Sequence, residues 1–417
     1  MNTLRARLAV FALPLLLAAC GHDTPPPRAS TGDYAAQVWA LPAEPGSLAP
    51  TLRPTPDGRL LLGWINRREG RRTALQFAIY NTRDGWQSQP RTIAVGNALA
   101  AGPADPPHLL ATADGALWAQ WVQAQPDQAG GTDVVLARSR DGGMRWEQIT
   151  RVNSDGMPTE HGFAALWPDG SDALGIAWLD GRAKTRGHGE AEDSGDMQLR
   201  VNRFDLNLQR GTDTVLDTRT CDCCTLAVAM TARGPLLAWR DRSPDDVRDI
   251  VVARWQNGAW SAPRPVHADH WVQPGCPVNG PALAARGDTV ALAWYTEADG
   301  GPRLRLALSR DAGTQFAAPV DVDQGPGVLG RAAVALDAQQ VWVAWLREDA
   351  SGQHLTLARY APDLSHRLQT LDVATLATRG LASGYPSLAV DADGAWLVWT
   401  DQDANGAPRL KGVQLTR

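Results

Sequence analysis

The chain has 417 residues, a formal net charge of −5 and a hydrophobic content of 44 %. The weak negative charge argues against a nucleic-acid partner held by a basic surface. The 40 glycines and 29 prolines are spread along the chain and exclude long helical architectures. The length suggests two or three domains of roughly 150 residues, unless one repeat array occupies it. Two features need an explanation: 17 tryptophans against 5 tyrosines and 5 phenylalanines, and 5 cysteines.

The first twenty residues have the pattern of a bacterial lipoprotein signal. A positively charged start and a short apolar run end in the sequence LAAC, which resembles a lipobox and ends at Cys20. The resemblance implies a signal peptide over 1–19, a lipid on Cys20 and a flexible tether over 20–33. Residue 21 is not Asp, which by the sorting rules of such lipoproteins implies the outer membrane, facing the periplasm or the exterior. The alternatives are an ordinary secretory signal and a transmembrane anchor, for which the apolar run is short.

Seven copies of one pattern, about 55 residues apart, occupy the rest of the chain. Each copy has an apolar stretch, a second apolar run that ends in Trp, an alternating run and a weaker fourth run, which predicts four antiparallel strands. Seven such units predict an all-β, seven-bladed β-propeller that forms one domain over 34–417. The last copy stops at its third strand, and we expect residues 35–41 to complete it. The aligned tryptophans are Trp64, Trp121, Trp178, Trp239, Trp294, Trp345 and Trp399.

Two turns between a third and a fourth predicted strand share a motif. Residues 139–146 follow the pattern S-x-D-x-G-x-x-W, and 309–316 follow it with Phe in place of Trp. Both resemble Asp boxes, the hairpin turns of the sialidase-type (BNR) propellers, and 82–86 and 256–260 resemble degenerate copies. In such a turn Asp accepts backbone N–H bonds, Gly adopts a positive φ and the aromatic ring packs between blades. The positions that carry the resemblance are Ser139, Asp141, Gly143, Trp146, Ser309, Asp311, Gly313 and Phe316.

The resemblance to sialidases implies a catalytic alternative. Those enzymes have a six-bladed ring, an arginine triad for the substrate carboxylate and a Tyr nucleophile with a Glu partner. The sequence GYPSL around Tyr385 is similar to their nucleophile region, but Leu48 stands where the first arginine is expected, and there are seven repeats instead of six. The alternative hypothesis is thus a sialidase-like exo-glycosidase, with a six-bladed fold, acting in the central funnel. Its catalytic candidates are Tyr385, Glu297 (or Glu160) and Arg182.

Four cysteines fall in two loops that a propeller places on one face. The loop before the fourth repeat contains the sequence CDCC, and the loop before the fifth contains one Cys and the sequence HADH. Two disulfides would require one short, strained ring within CDCC. The alternatives are one disulfide with a thiol pair, and a soft-metal site for Zn(II) or Cu(I) with imidazole ligands. The candidate residues are Cys221, Cys223, Cys224, Cys276, His267 and His270.

The leading functional hypothesis is a binding or scaffolding role at the cell envelope, centred on this Cys/His site. We expect a monomer that contacts the membrane only through its lipid and that binds a glycan or a protein, but no nucleic acid. A third hypothesis is a structural interaction module whose disulfides clamp the two loops.

Overall fold

The computed structural model describes most of the chain, with short gaps: 32–67, 70, 72–100, 102–126, 130–147, 149–184, 195–391 and 394–417. The predicted signal peptide and Cys20 lie outside these described residues. The described residues form 30 strands and one 3-10 turn, Gly380–Ser383. None of their helical segments is long and apolar enough to cross a membrane.

The strands form seven antiparallel sheets of four or five strands, and each sheet is one blade of a β-propeller. Within a blade the strands follow one another in chain order, as the four-run repeat predicts. Blade 1 contains β2 (Ser47–Pro54), β3 (Leu60–Asn66), β4 (Thr73–Asn81), β5 (Gly85–Trp86) and β6 (Arg91–Gly96). Blade 2 contains β7 (His108–Ala111), β8 (Leu117–Ala124), β9 (Thr132–Ser139) and β10 (Thr150–Arg151). Blade 3 contains β11 (His161–Asp169), β12 (Ala173–Asp180), β13 (Gln198–Phe204) and β14 (Thr214–Asp217). Blade 4 contains β15 (Ala227–Thr231), β16 (Gly234–Arg240), β17 (Ile250–Gln256), β18 (Ala259–Trp260) and β19 (Arg264–Pro265).

The remaining three blades repeat this arrangement, and the predicted seven-bladed, all-β fold is confirmed. Blade 5 contains β20 (Ala282–Arg286), β21 (Thr289–Thr296), β22 (Arg303–Ser309) and β23 (Val320–Gln324). Blade 6 contains β24 (Val328–Leu336), β25 (Val341–Asp349), β26 (Gly352–Tyr360) and β27 (Arg367–Leu376). Blade 7 contains β28 (Ser387–Val390), β29 (Ala395–Gln402), β30 (Pro408–Thr416) and β1 (Ala35–Val38).

Blade 7 joins the two ends of the described chain. β1 pairs antiparallel with β30, with Ala35 opposite Thr416, and the Trp39 amide donates to the Gly412 carbonyl at 2.9 Å. The closing strand therefore lies within the segment 35–41. Because β30 is paired on both sides, it does not present an open edge to another molecule.

The second strand of each blade is buried because neighbouring blades pack against both of its faces. All eight residues of β12, with the sequence ALGIAWLD, are buried. The seven aligned tryptophans occupy this strand and are at most 3 % exposed, which accounts for seven of the 17 tryptophans of the chain. In blades 3 to 6 the indole N–H of this Trp also donates to a carboxylate, that of Asp180, Asp217, Asp269 or Asp323.

The turn after β9 is held by its own side chains. The Asp141 carboxylate accepts hydrogen bonds from the Ser139 hydroxyl and the Arg145 amide, each at 2.9 Å. Gly143 has a φ of +84°, and a Cβ there would lie 2.2 Å from Cζ of Phe77 in blade 1. Trp146 meets Phe77 edge-on, with ring centroids 5.9 Å apart. The turn therefore locks blade 2 onto blade 1.

The turn after β22, in blade 5, repeats these contacts three blades further round the ring. The Asp311 carboxylate accepts from the Ser309 hydroxyl at 2.7 Å and from the Gln315 amide at 2.9 Å. A Cβ on Gly313, whose φ is +77°, would lie 2.3 Å from Cδ2 of Leu236 in blade 4. Phe316 packs in the same apolar cluster as Leu236. Both turns thus join a blade to the preceding one, which is a structural role.

Candidate functional site

A cavity of about 600 Å³ lies at the centre of the ring. It is lined by the first strand of every blade, namely β2, β7, β11, β15, β20, β24 and β28. Alanine, leucine, valine and proline dominate the wall, and no Asp or Glu is among the lining residues that the structure describes. Arg53 is the only charged side chain among them. An apolar wall with a few polar groups and a volume of this size are typical of ligand sites.

Arg53 and His108 face this channel without polar partners. The side chain of Arg53, on β2, makes no hydrogen bond or ion pair with any described residue, and its surroundings lower its pKa. Burial and the positive charge of Arg53 lower the pKa of His108, on β7, to about 3, so its ring is neutral at pH 7. The His108 Nδ1 is buried and has no partner within the described chain. The Arg53 side chain is partly exposed to the channel, so its guanidinium is accessible to an anion that enters and can form charged hydrogen bonds with it.

Tyr385 lines the same channel just before β28, but its hydroxyl is already bonded. It donates to the Val278 carbonyl at 2.7 Å, and burial raises the pKa of Tyr385 above its usual value. A tyrosine nucleophile needs the opposite, an adjacent base or a lowered pKa. In this structure Tyr385 instead ties blade 7 to the loop before β20.

The other two catalytic candidates lie in different blades. Glu297, after β21, accepts a hydrogen bond from the Tyr295 hydroxyl at 2.5 Å. Arg182, after β12, donates to both oxygens of the Asp180 carboxylate at 2.7 and 2.6 Å. Leu48, at the position where sialidases have an arginine, is buried in an apolar cluster. No hydrogen bond or ion pair in the described ranges joins Tyr385, Glu297 and Arg182 to one another.

Asp105 is an acidic group that the sequence did not single out. It precedes β7, next to Pro106 of the channel wall. The pKa of Asp105 is raised to about 7, chiefly by burial and in part by the negative charge of Glu160. The Phe163 amide, which donates to Asp105 at 2.9 Å, has the opposite effect on this pKa. A carboxyl group that titrates near neutral pH is suited to acid–base work.

The four cysteines meet where the loops before β15 and β20 cross. Cys223 and Cys276 form a disulfide whose Cα atoms are 6.2 Å apart. Cys221 and Cys224 are buried thiols, and their Sγ atoms are 3.0 Å apart. The Sγ of Cys221 also lies 4.0 Å from that of Cys223. Of the three arrangements that the sequence left open, the structure has one disulfide beside a thiol pair.

Arg240, at the end of β16, bonds to both loops: its backbone carbonyl accepts from the Cys221 amide at 3.1 Å, and its side chain bonds to the loop before β20. It is 1 % exposed and donates to the carbonyl oxygens of Asn279, Arg248 and Tyr295 at 2.9, 2.6 and 2.8 Å. Its guanidinium carbon lies 4.9 Å from the centre of the Trp271 ring. No carboxylate forms an ion pair with it in the described ranges, so the charge is solvated by carbonyl dipoles and an aromatic face.

The positive charge of Arg240 acts on the thiol pair. The pKa of Cys221 is lowered to about 6, chiefly by its hydrogen bond with Cys224 and in part by the charge of Arg240. Burial raises the pKa of Cys224. The surroundings therefore favour the thiolate form at Cys221 and the thiol form at Cys224.

His267 and His270 lie in the loop of Cys276 but bond elsewhere. The Nδ1 of His267 is 2.7 Å from the Asp269 carboxylate, which also accepts from a core indole. The backbone amide of His270 donates to Asp249 at 3.0 Å. Neither imidazole joins the cysteines among the metal-ligand groups that the described chain brings together.

A metal at the cysteines would therefore have few protein ligands. Cys223 is bonded to Cys276, which leaves two thiols, whereas structural zinc sites use four protein ligands. While this disulfide is formed, the remaining donor set does not fit Zn(II). The described groups with suitable spacing are Cys221, Cys223 and Cys224, and separately Asp155, His161 and Asp180.

The second of these groups is already neutralised by a guanidinium. The Nε2 of His161 lies 3.0 Å from Asp155 and 3.6 Å from Asp180. Arg182 lies 3.3 Å from Asp155 and 2.6 Å from Asp180. Burial lowers the pKa of His161, but the two carboxylates outweigh it and the pKa is raised. This is a buried ion-pair network with a structural role in blade 3.

Comparisons with known proteins identify the fold. No family model matches the chain, and no curated protein matches it in sequence. Among solved structures, the polysaccharide lyase Uly1 has a TM-score of 0.53 at 9 % identity, over 91 % of this chain and 92 % of that one. A protein of unknown function from Dyadobacter fermentans DSM 18053 has a TM-score of 0.51 at 13 % identity, over 94 % and 99 %.

A sialidase is also among the matches. The K499G mutant of NanB sialidase from Streptococcus pneumoniae has a TM-score of 0.45 at 10 % identity, over 94 % of this chain and 70 % of that one. The sheets described above have the β-propeller fold that the repeat and turn motifs predicted.

Proposed function

We propose that this protein binds an anionic glycan in its central channel and does not cleave it. The observation that carries the proposal is the unpaired guanidinium of Arg53 in a wall whose described residues include no carboxylate. Glycoside hydrolysis typically uses two carboxyl groups that flank the scissile bond, whereas binding needs only a cation and an apolar surface. A polysaccharide lyase has a similar fold, which is why a glycan is the anion that we favour.

The chemistry of the channel suits a carboxylate or sulfate on a sugar ring. A guanidinium pairs with two oxygens of such a group at once, and the neutral His108 can supply or accept one further hydrogen bond. The alanine and leucine side chains of the wall can pack against the C–H faces of a sugar. Because the fork of Arg53 has no competing acceptor among the described residues, no internal ion pair has to break when the ligand enters.

A calorimetric titration with trigalacturonate, with maltotriose as the neutral control, tests this proposal. We expect wild type to bind the uronate and Arg53→Gln to bind it at least about tenfold more weakly, because a charged hydrogen bond contributes about 1.5–3 kcal/mol. Arg59→Gln is the matched control, since Arg59 is partly exposed and paired with Asp57 at 2.6 Å. Equal binding of both sugars, or of wild type and Arg53→Gln, would contradict the proposal.

The second candidate is the sialidase-like exo-glycosidase. One observation favours it, the pKa of about 7 for Asp105 beside the channel. A fluorogenic sialoside assay separates the two candidates, with Tyr385→Phe and Asp105→Asn as variants. We expect no release above buffer from wild type. Release that both substitutions abolish would replace the binding proposal by the enzymatic one.

We further propose that the protein is a monomer anchored to the cell envelope by a lipid on Cys20, with the propeller in the periplasm or outside the cell. The sequence LAAC supports this, and the tether over 20–33 would separate the ring from the membrane. Labelling of growing cells with a palmitate analogue should mark wild type and leave Cys20→Ser unmarked. Label on both, or on neither, would contradict the anchor.

A further inference from the structure

We propose that Cys221, Cys223, Cys224 and Cys276 form a thiol–disulfide relay, in which a buried dithiol exchanges an electron pair with a disulfide that has one exposed end. The sulfur atoms are arranged as a chain. Cys224 lies 3.0 Å from Cys221, Cys221 lies 4.0 Å from Cys223, and Cys223 is bonded to Cys276. Cys276 is exposed, whereas Cys221 and Cys224 are buried. The relay goes beyond glycan binding and does not depend on it.

The spacing of the buried pair is that of known dithiol centres. Cys221 and Cys224 are separated by two residues, and the C-x-x-C arrangement is typical of disulfide oxidoreductases. The thiolate is the attacking species in exchange. The lowered pKa of Cys221 supports a thiolate at that position at neutral pH.

The packing of the two loops keeps the sulfurs within reach of one another. A Cβ on Gly280 would lie 2.1 Å from the Thr225 carbonyl oxygen, so the loop that follows Cys276 passes directly over the residue that follows Cys224. Asn279 reinforces this contact, because its carbonyl accepts from Arg240 and its side-chain oxygen accepts from the Arg331 amide at 2.8 Å.

The first step is an attack within the molecule. The Cys221 thiolate attacks the Sγ of Cys223, a bond forms between these two sulfurs, and the bond between Cys223 and Cys276 breaks. Its electron pair leaves on the Sγ of Cys276, which takes a proton from water at the surface. No external oxidant or reductant takes part.

The second step completes the transfer. Cys224 loses its proton to water and attacks the Sγ of Cys221, so that a disulfide joins Cys221 and Cys224 and the electron pair leaves on Cys223. The buried pair has then been oxidised and the outer disulfide reduced. One proton has passed from Cys224 through water to Cys276, and the negative charge has moved from Cys221 to Cys223. The reduced pair of Cys223 and Cys276 can pass its electrons to a disulfide of a second molecule.

A disulfide that only clamps the loops would need no neighbouring thiols. Here two buried thiols lie against a disulfide in place of apolar side chains, and one of them is within 4.0 Å of the sulfur that it would attack. A metal site is the competing explanation, but the described structure leaves it two free thiols and no imidazole.

Thiol trapping with peptide mapping tests the relay on the full-length protein. Native protein is incubated without oxygen, alkylated at intervals and digested, and the pairing is read by mass. We expect wild type to yield two species, one with Cys223 joined to Cys276 and one with Cys221 joined to Cys224 and an alkylated Cys276. Cys224→Ser should stop after the first step, with Cys221 joined to Cys223.

Cys221→Ser is the matched control, because it keeps the disulfide and removes the attacking sulfur. We expect alkylation of Cys276 to be at least tenfold slower in this variant than in wild type. Equal rates, or wild type that yields only the pairing of Cys223 with Cys276, would overturn the relay. So would stoichiometric copper or zinc that protects the thiols until a chelator removes it. Wild-type mapping decides the question even if a variant fails to fold.

Discussion

Two arginines of this molecule carry a charge inside the ring without a carboxylate partner in the described chain, and their surroundings are opposite. Arg240 donates to three backbone carbonyls and lies over Trp271, whereas the guanidinium of Arg53 has no hydrogen-bond partner among the described residues. A buried cation that three carbonyls and an aromatic face already solvate gains little from a ligand, while a cation without partners gains from an anion that arrives. The comparison separates a cation that holds the fold together from one that forms a site.

The largest effect is expected at Arg240. Arg240→Leu leaves the carbonyls of Asn279, Arg248 and Tyr295 buried without a donor, and an unsatisfied buried group costs about 1–3 kcal/mol. We expect the free energy of unfolding, measured by urea titration with tryptophan fluorescence, to fall by at least about 3 kcal/mol. A change below about 1 kcal/mol would mean that Arg240 is not the structural cation of the comparison.

The control for that substitution lies two residues away. Arg242 is partly exposed and pairs with Asp246 at 2.8 Å. An exposed ion pair typically contributes about 0–1 kcal/mol, so Arg242→Leu should change the unfolding free energy by no more than that.

A smaller effect is expected at His161, a buried cation that does have carboxylate partners. The pKa of His161 is raised in the folded state, above an unfolded value of about 6.5. Its contribution to stability is therefore fully present below pH 6.5 and is lost as the pH rises through the folded pKa. His161→Gln should lower the unfolding free energy by about 1–2 kcal/mol at pH 6, where a charged hydrogen bond is lost, and by less at pH 9. A difference between wild type and variant that is independent of pH would show that His161 is not charged in the folded protein.

The smallest effect on stability is expected at Arg53, and its sign is the reverse. Arg53→Leu removes a partly buried charge that has no side-chain partner among the described residues. Replacement of such a charge by an apolar side chain is neutral or stabilising, so we expect the unfolding free energy to stay within about 1 kcal/mol of wild type or to rise. A loss above about 2 kcal/mol would reveal a structural role for Arg53 and remove the contrast with Arg240.

The fold could be predicted from the sequence because its repeats are local. Each blade carries the same order of apolar runs, and a Trp at one strand position marks every copy, so the period alone predicted seven four-stranded sheets. The interlocking of the blades was less accessible. Gly143 packs so closely against Phe77, about 66 positions earlier in the chain, that a Cβ at position 143 would clash with the ring. A contact between residues so far apart is not visible in the local sequence pattern.

The candidate site could be predicted only in part. The repeat places four cysteines in two neighbouring loops, namely Cys221, Cys223, Cys224 and Cys276. Which two of them form the disulfide depends on distances that the sequence does not contain. Arg53 was overlooked because an arginine on a strand looks the same whether or not it has a partner. An unpaired arginine of this kind is recognised only when no carboxylate is found near it, and this requires the positions of all seven strands that line the channel.

The identity of Arg53 as an anion site is tested most directly by anomalous diffraction from crystals soaked in selenate. The account predicts a selenium peak within hydrogen-bond distance of the Arg53 guanidinium, its disappearance in Arg53→Gln, and no peak beside Arg240. A channel without selenium while Arg53 remains unpaired, or a peak that persists in Arg53→Gln, would contradict it.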